Sequence, residues 1–414
     1  ILEQPTEFHG TLRPYQLRGY SWLSFLERFG FGACLADDMG LGKTIQLLAI
    51  MAGEREEAKA KGQDRVPPTL LIVPTSVVGN WVRETNRFCP QLDVVVHHGP
   101  GRLAGNDFIA RVAKTDFVVT TYALANRDQD LLSAIQWGRL VLDEAQFIKN
   151  PAAKQAQAVR NIRARSRIAL TGTPVENRLS ELWSIMDFLN PGYLGSPGGF
   201  RKKFAVPIEK YRDDAKSVQL RSLVRPFVLR RLKSDPKVVG DLPPKVESRE
   251  YCYLTNEQAE LYEQTVKKML ADVDATEGIR RRGIVLSALV KLKQICNHPA
   301  QALKEIVKGQ TTPPSAARSG KTTRLIEMLD EILAAGDQAL IFSQFRQMGH
   351  LLASTLRHAL DREVLFLHGG TPRLQRQKLV DEFQKRDGST PIMLVSLRAG
   401  GVGLNLTAAN HVFH

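Results

Sequence analysis

The segment Asp37-Asp38-Met39-Gly40-Leu41-Gly42-Lys43-Thr44 constrains this chain more than any other. It follows the apolar stretch Ala33-Cys34-Leu35-Ala36 and precedes the run Ile45-Gln46-Leu47-Leu48-Ala49-Ile50, which reads as a helix. A strand, a glycine-containing loop and a helix form the setting that a phosphate-binding loop requires. Gly40 and Gly42 let backbone N–H groups approach an anion. Lys43 supplies a cation for the β- and γ-phosphates of a nucleotide, and the Thr44 hydroxyl can ligate Mg²⁺. Asp37 stands where such loops usually begin with glycine. A bare GKT is weak evidence, but a second apolar run, Leu140-Val141-Leu142, ends in two acids. Asp143 would hold the metal and Glu144 would polarise the attacking water. The two segments together point to nucleotide hydrolysis.

Short apolar runs recur from Gly32 to Thr173: Gly32–Ala36, Leu70–Val73, Val94–His97, Phe117–Thr120, Leu140–Leu142 and Arg167–Leu170. Continuous apolar runs of this length suit buried parallel strands of an α/β domain. Between about residues 176 and 290 the pattern changes to long helical stretches such as Ser180–Leu189 and Glu257–Val273. The pair Pro243-Pro244 within DLPPK at 241–245 breaks helix and sheet alike, and Thr311–Ser319 reads as a linker. Strand–helix alternation then returns with Ala339–Ser343, Val364–Leu367, Met393–Ser396 and His411–Phe413. The expected organisation is a first α/β lobe over 1–240 with a helical insertion at about 176–240, helical insertion and linker over 241–318, and a second α/β lobe over 319–414. A second GKT, Gly320-Lys321-Thr322, has no strand before it and reads as a loop entering a helix over Thr323–Leu333.

The formal charge of +14 makes an ATP-binding chain a candidate for nucleic-acid contact, although charge alone decides nothing. Two basic groups stand out: Arg160, Arg163, Arg165 and Arg167, then Arg280, Arg281 and Arg282. Charge runs are usually solvated faces. The four cysteines are scattered without CxxC pairing, which argues against disulfides and zinc. Cys34, Trp81 and Trp183 lie in apolar patterns and read as core. No run reaches the length of a membrane span. A reducing, cytoplasmic setting follows, and the start at Ile1 reads as a fragment of something longer.

Further segments join the first two: LRPYQ at 12–16, LIVPTSVVGNW at 71–81, LTGTPVEN at 170–177, ALIFSQF at 339–345 and VSLRAGGVGLNLTAANHVFH at 395–414. In this order they resemble the helicase-type motifs of superfamily-two ATPases. ELWSIMDFLNPGYLG at 181–195, PFVLRRLKSD at 226–235, DLPPK and QICNHP at 294–299 resemble the SWI/SNF family of double-stranded DNA translocases more narrowly. DEAQ and SLRAGG look closer to bacterial members.

The resemblance implies two RecA-like lobes with parallel sheets around a cleft, the second lobe incomplete, with ATP and Mg²⁺ as cofactors. It implies that Gln16 reads the adenine edge. Lys43, Asp143 and Glu144 would be catalytic, and residues Asp37 to Thr44 would hold ATP. Gln146, Thr171, Gly172, Thr173, Gly401 and Gly403 would couple hydrolysis to movement. Thr75, Tyr122, Ser343, Gln344 and Ser396 would face DNA and hold phosphates without reading bases. The implied partners are duplex DNA and a DNA-bound protein or polymerase complex, in the bacterial nucleoid. Two departures stand out. The family continues to a motif that donates arginine fingers, and this chain stops at His414 before it. Leu397 sits where many relatives place a threonine. Other readings are a strand-separating helicase on DNA or RNA, or, for this stretch alone, a nucleic-acid-binding module with little turnover.

Overall fold

The computed structural model describes residues 1–63, 65–172, 178–235, 238, 246–305, 313–397, 399, 404 and 406–414. The chain divides into two compact units, Ile1–Pro244 and Lys245–His414.

The first unit is built on seven parallel strands: β1 (Ala33–Leu35), β2 (Thr69–Val73), β3 (Val94–Val96), β4 (Phe117–Thr121), β5 (Trp137–Asp143), β6 (Ala164–Leu170) and β7 (Val228–Leu229). Their order is β3-β4-β2-β5-β6-β1-β7. Every residue of β2 and β4 is buried, because helices cover both faces of the sheet. Three of those helices matter below: α1 (Pro14–Arg28), α2 (Lys43–Ala60) and α3 (Val78–Phe88). In parallel strands all carboxyl ends lie at one edge. The loops after β1, β2, β4, β5 and β6 therefore emerge together, where ligands of open α/β sheets bind.

Two departures from the sequence reading have simple causes. Strand β5 starts at Trp137, not Leu140. Gly138 and Arg139 interrupt the apolar run, yet Arg139 is buried and satisfied by Glu27 of α1 (2.6 Å) and Glu54 of α2 (2.6 Å). The region expected as a helical insertion contains Leu179–Leu189, Val206–Tyr211 and Asp214–Val224, then returns to the sheet as β7 beside β1. A two-residue strand is too short to leave a periodic signal.

The second unit carries four parallel strands, β8 (Ala339–Ser343), β9 (Val364–Leu367), β10 (Ile392–Ser396) and β11 (His411–Phe413), in the order β11-β8-β10-β9. Alternate residues of β8 feed opposite cores. Ala339 and Ile341 pack with Leu329, Met348 and Leu356, while Leu340 packs with Leu365, Phe383 and Val395. Two 19-residue helices, Asn256–Asp274 and Ile279–Asn297, precede this sheet. The second GKT is not a loop but the first turn of the helix Gly320–Ala334. The Ser319 hydroxyl caps that helix by accepting from the Thr322 N–H.

Candidate nucleotide site

The loop after β1 turns on two glycines in the left-handed region, Gly40 (φ 80°) and Gly42 (φ 80°). Gly42 ends the loop and α2 begins at Lys43. The first N–H groups of a helix have no intrahelical partner and form a ready anion seat. The Lys43 ammonium donates to the carbonyls of Asp37 (2.7 Å) and Asp38 (3.4 Å), so it lies folded over its own loop. Burial lowers its pKa, and the nearby carboxylates of Glu144, Asp143, Asp37 and Asp38 oppose that shift. Lys43, Asp143 and Glu144 are thus brought to one place.

Asp143 is the last residue of β5. Its Oδ2 accepts from the Trp81 indole N–H at 2.7 Å and its Oδ1 from the Glu144 backbone N–H at 2.9 Å. Burial pushes the carboxyl up to about 6; the Trp81 bond pulls the other way and the Glu144 charge adds to the rise. Glu144 adopts left-handed backbone (φ 51°), which costs energy for a residue with a Cβ and turns the chain sharply at the strand end. Its Oε2 accepts from the Gln146 amide at 2.7 Å, and the Gln146 Oε1 accepts from the Thr171 hydroxyl at 3.0 Å. A continuous relay therefore joins the acid to the end of β6. Gly172 follows it, while Thr173, Gly401 and Gly403 lie outside the described residues.

Asp37 is completely buried. Arg231, two residues past β7, donates its Nε to Asp37 Oδ1 at 2.8 Å, a terminal nitrogen to Oδ2, and another bond to Gln46 Oε1 at 2.7 Å. Its guanidinium also lies over the Tyr15 ring, 5.2 Å from the centroid. The Lys233 N–H donates to Asp38 Oδ2 at 3.0 Å. The loop is thus strapped down by a distant segment, and the aspartate in the glycine position is its anchor. Gln16 is buried against the same loop. Its Nε2 donates to the Leu41 carbonyl (3.2 Å) and its Oε1 accepts from the Arg13 N–H (3.0 Å). In this arrangement both ends of the amide are spent on the protein. Met39 and Gly40 are exposed at the loop tip.

The residues expected to face DNA separate into two kinds. Thr75 is exposed just after β2, and Gln344 is exposed just after β8. Ser343 and Ser396 are register partners at the ends of β8 and β10, so the structure places them side by side. Tyr122 behaves otherwise. It is buried, its hydroxyl donates to the Asp143 carbonyl at 2.7 Å, and its ring stacks on Phe147 at 5.1 Å. It braces the acidic turn instead of presenting a hydroxyl outward. Two of the four clustered arginines are also structural. Arg160 donates to the Ser184 hydroxyl (2.6 Å) and Arg167 to the Phe188 carbonyl (2.8 Å). Arg163, Arg165 and Arg280 to Arg282 are exposed.

Sequence reasoning missed Arg231, Gln46, Glu84 and the polar role of Trp81. The signal for Trp81 was available, since a buried indole N–H needs an acceptor. The oxygen donors at the site, the Asp143 carboxylate and the Thr44 hydroxyl, are hard ligands of the kind that suit Mg²⁺.

Residues 15–301 match the SNF2-related domain, and residues 321–414 match the helicase conserved C-terminal domain. The chain is 48% identical over 407 residues to the Bacillus subtilis (strain 168) protein named "Putative ATP-dependent helicase/translocase YwqA", covering 98% of this chain and 43% of that protein. It is 34% identical over 463 residues to the TATA-binding protein-associated factor MOT1 of Saccharomyces cerevisiae, covering 99% and 25%. Among solved structures, the Sulfolobus solfataricus SWI2/SNF2 ATPase core in complex with dsDNA is 42% identical, with a TM-score of 0.56, covering 100% of this chain and 83% of that one. This chain spans less than half the length of the two curated relatives.

Proposed function

Because the chain belongs to the SNF2-related family of helicase-like ATPases, we propose that it is the motor of an ATP-dependent double-stranded DNA translocase that remodels protein–DNA complexes. The observation that carries the reading is the meeting of Lys43, Asp143 and Glu144 at the carboxyl edge of one sheet. ATP is held by residues Asp37 to Thr44, with Lys43 leaving its loop carbonyls for the phosphates. Thr44 and Asp143 hold Mg²⁺, which supplies charge neutralisation to the phosphate oxygens when bound. Glu144 orients a water and takes its proton. The Glu144–Gln146–Thr171 chain links that step to the strand exits, with Gly172, Thr173, Gly401 and Gly403 as further coupling positions. Thr75, Ser343, Gln344 and Ser396 serve as contacts to the DNA backbone, which explains tracking without sequence preference. The archaeal relative solved with dsDNA supports the choice of duplex. The substrate is a DNA-bound protein or polymerase complex, and the place of action is the bacterial nucleoid. The domain division is 1–240, 241–318 and 319–414.

ATP turnover with and without duplex, followed by displacement of a triplex-forming strand, tests the reading. Lys43→Ala should lose nucleotide binding and turnover together. Glu144→Gln should keep binding and lose turnover, by at least ~10². Normal turnover in either variant, or unwinding of a tailed duplex without triplex displacement, overturns it.

A further inference from the structure

Helix α3 bears two polar contacts that its packing does not require. Trp81 is buried, and its indole N–H is directed at Asp143 Oδ2 at 2.7 Å. Three residues on, and so on the same face of the helix, Glu84 lies largely out of water. Its carboxylate accepts from the Asn80 amide at 3.2 Å and lies beside the Thr44 hydroxyl; burial raises its pKa, and Asn80 and Thr44 oppose that rise. One helix thus bonds Asp143 and sets a carboxylate beside Thr44, the two residues assigned above to the metal. Neither contact blocks that task. A hydroxyl has one proton and two lone pairs, so Thr44 can donate its proton to Glu84 and keep its lone pairs for a cation. Asp143 receives one N–H on each oxygen and keeps further lone pairs on both. Hydrogen bonds of this kind fix the orientation of metal ligands, and the Trp81 bond also favours the ionised form of Asp143 that a cation needs. A carboxylate removed from water is costly to maintain, and a site for a divalent cation is a place where its charge is useful.

We infer that Trp81 and Glu84 are positioning residues of the Mg²⁺ site, holding Asp143 and Thr44 in the arrangement that receives the metal with the nucleotide. The inference rests on the assignment of Thr44 and Asp143 as metal-holding residues. It also gives α3 a second task. The helix follows directly on the turn Thr75–Val77, so a displacement of Thr75 would be carried to both Trp81 and Glu84.

The test uses the full chain and mant-ADP fluorescence, titrated with MgCl₂ and repeated in EDTA. Trp81→Phe keeps the ring and loses the donor. Glu84→Ala loses the acceptor, and Glu84→Gln keeps an acceptor oxygen without the charge. Asp143→Asn is the control for the metal assignment. The Mg²⁺ needed for half-maximal enhancement should rise about 10- to 100-fold in Trp81→Phe and Glu84→Ala, and less in Glu84→Gln. Affinity for mant-ADP in EDTA should match the parent. Unshifted Mg²⁺ dependence in folded Trp81→Phe and Glu84→Gln, with Asp143→Asn shifted, overturns the inference alone. An unshifted Asp143→Asn overturns the metal assignment beneath it. Equal losses in EDTA and in Mg²⁺ would make α3 a support for the loop's fold, not for the metal, and overturn the inference too. If Glu84→Ala does not fold, Trp81→Phe and Glu84→Gln decide.

Discussion

Asp37 occupies a position where a small residue is usual, and the pair it makes with Arg231 shows what a single substitution can undo. A buried carboxylate left without its partner is expensive. Arg231→Met should cost about 3–5 kcal/mol of unfolding free energy, because a buried charge is stranded. Asp37→Asn combined with Arg231→Met should recover a large part of that loss. Urea unfolding of the two single variants and the double variant checks this, and simple additivity would mean that the two groups are not coupled. Of the predicted site residues, Lys43, Asp143 and Glu144 were legible because each lies beside a local pattern of strand, glycine and helix. Tyr122 and Gln16 were harder. Their type suits a ligand contact, but their hydroxyl and amide are used internally, on the Asp143 and Leu41 carbonyls. Arg231 was illegible for a plainer reason. Its partner is 194 residues away, and no local pattern encodes that distance.

Elements were more legible than side chains. Buried parallel strands carry unbroken apolar runs, and β8, β9 and β11 have the bounds that those runs predict. Errors fell where a polar residue is satisfied inside a strand, as Arg139 is, or where an element is too short for a period, as β7 is. The helix beginning at Gly320 shows why a motif can deceive. A Cβ at Gly320 would lie 2.1 Å from the Tyr253 carbonyl oxygen, so glycine is needed there for close backbone approach and not for phosphate. Gly320→Ala should destabilise the second unit by about 1–3 kcal/mol and leave ATP affinity unchanged. Calorimetry and a nucleotide titration on one variant separate the two. The loop after β3 gives a pH-dependent counterpart. His97 is buried with its Nε2 2.9 Å from Asp128, which Arg102 also binds at 2.9 Å. Burial holds the imidazole pKa below its ordinary value. The unfolded chain therefore takes up a proton first, and the first unit loses stability as pH falls below about 6.5, by at most ~1.4 kcal/mol per pH unit. His97→Gln, which cannot titrate, should flatten that slope in urea unfolding at about pH 7 and about pH 5.5. An unchanged slope would place the titration elsewhere.

The whole molecule carries a formal charge of +14, and the consequence belongs to its partner. If duplex is bound through its backbone, log affinity should fall linearly with log salt, losing on the order of 10² or more between 50 and 200 mM. Duplexes of different sequence should lie on one line. Fluorescence anisotropy over a salt series measures both, and a flat response or a strong sequence preference would reject phosphate tracking. The fastening of the phosphate loop has a consequence of a different order, in time. The loop is made early, while β7 and Arg231, which flank and anchor it, follow 194 residues later. At about 5–20 residues per second on the ribosome, the interval is roughly 10–40 s. During that interval Asp37 has no guanidinium, and β1, once β6 has paired with it, lies on an open sheet edge, the kind of edge that invites pairing with other chains. The nucleotide-holding task proposed for this loop would therefore become possible only late in the protein's own synthesis, and a chain released before Arg231 would carry the whole motif and still lack its clasp.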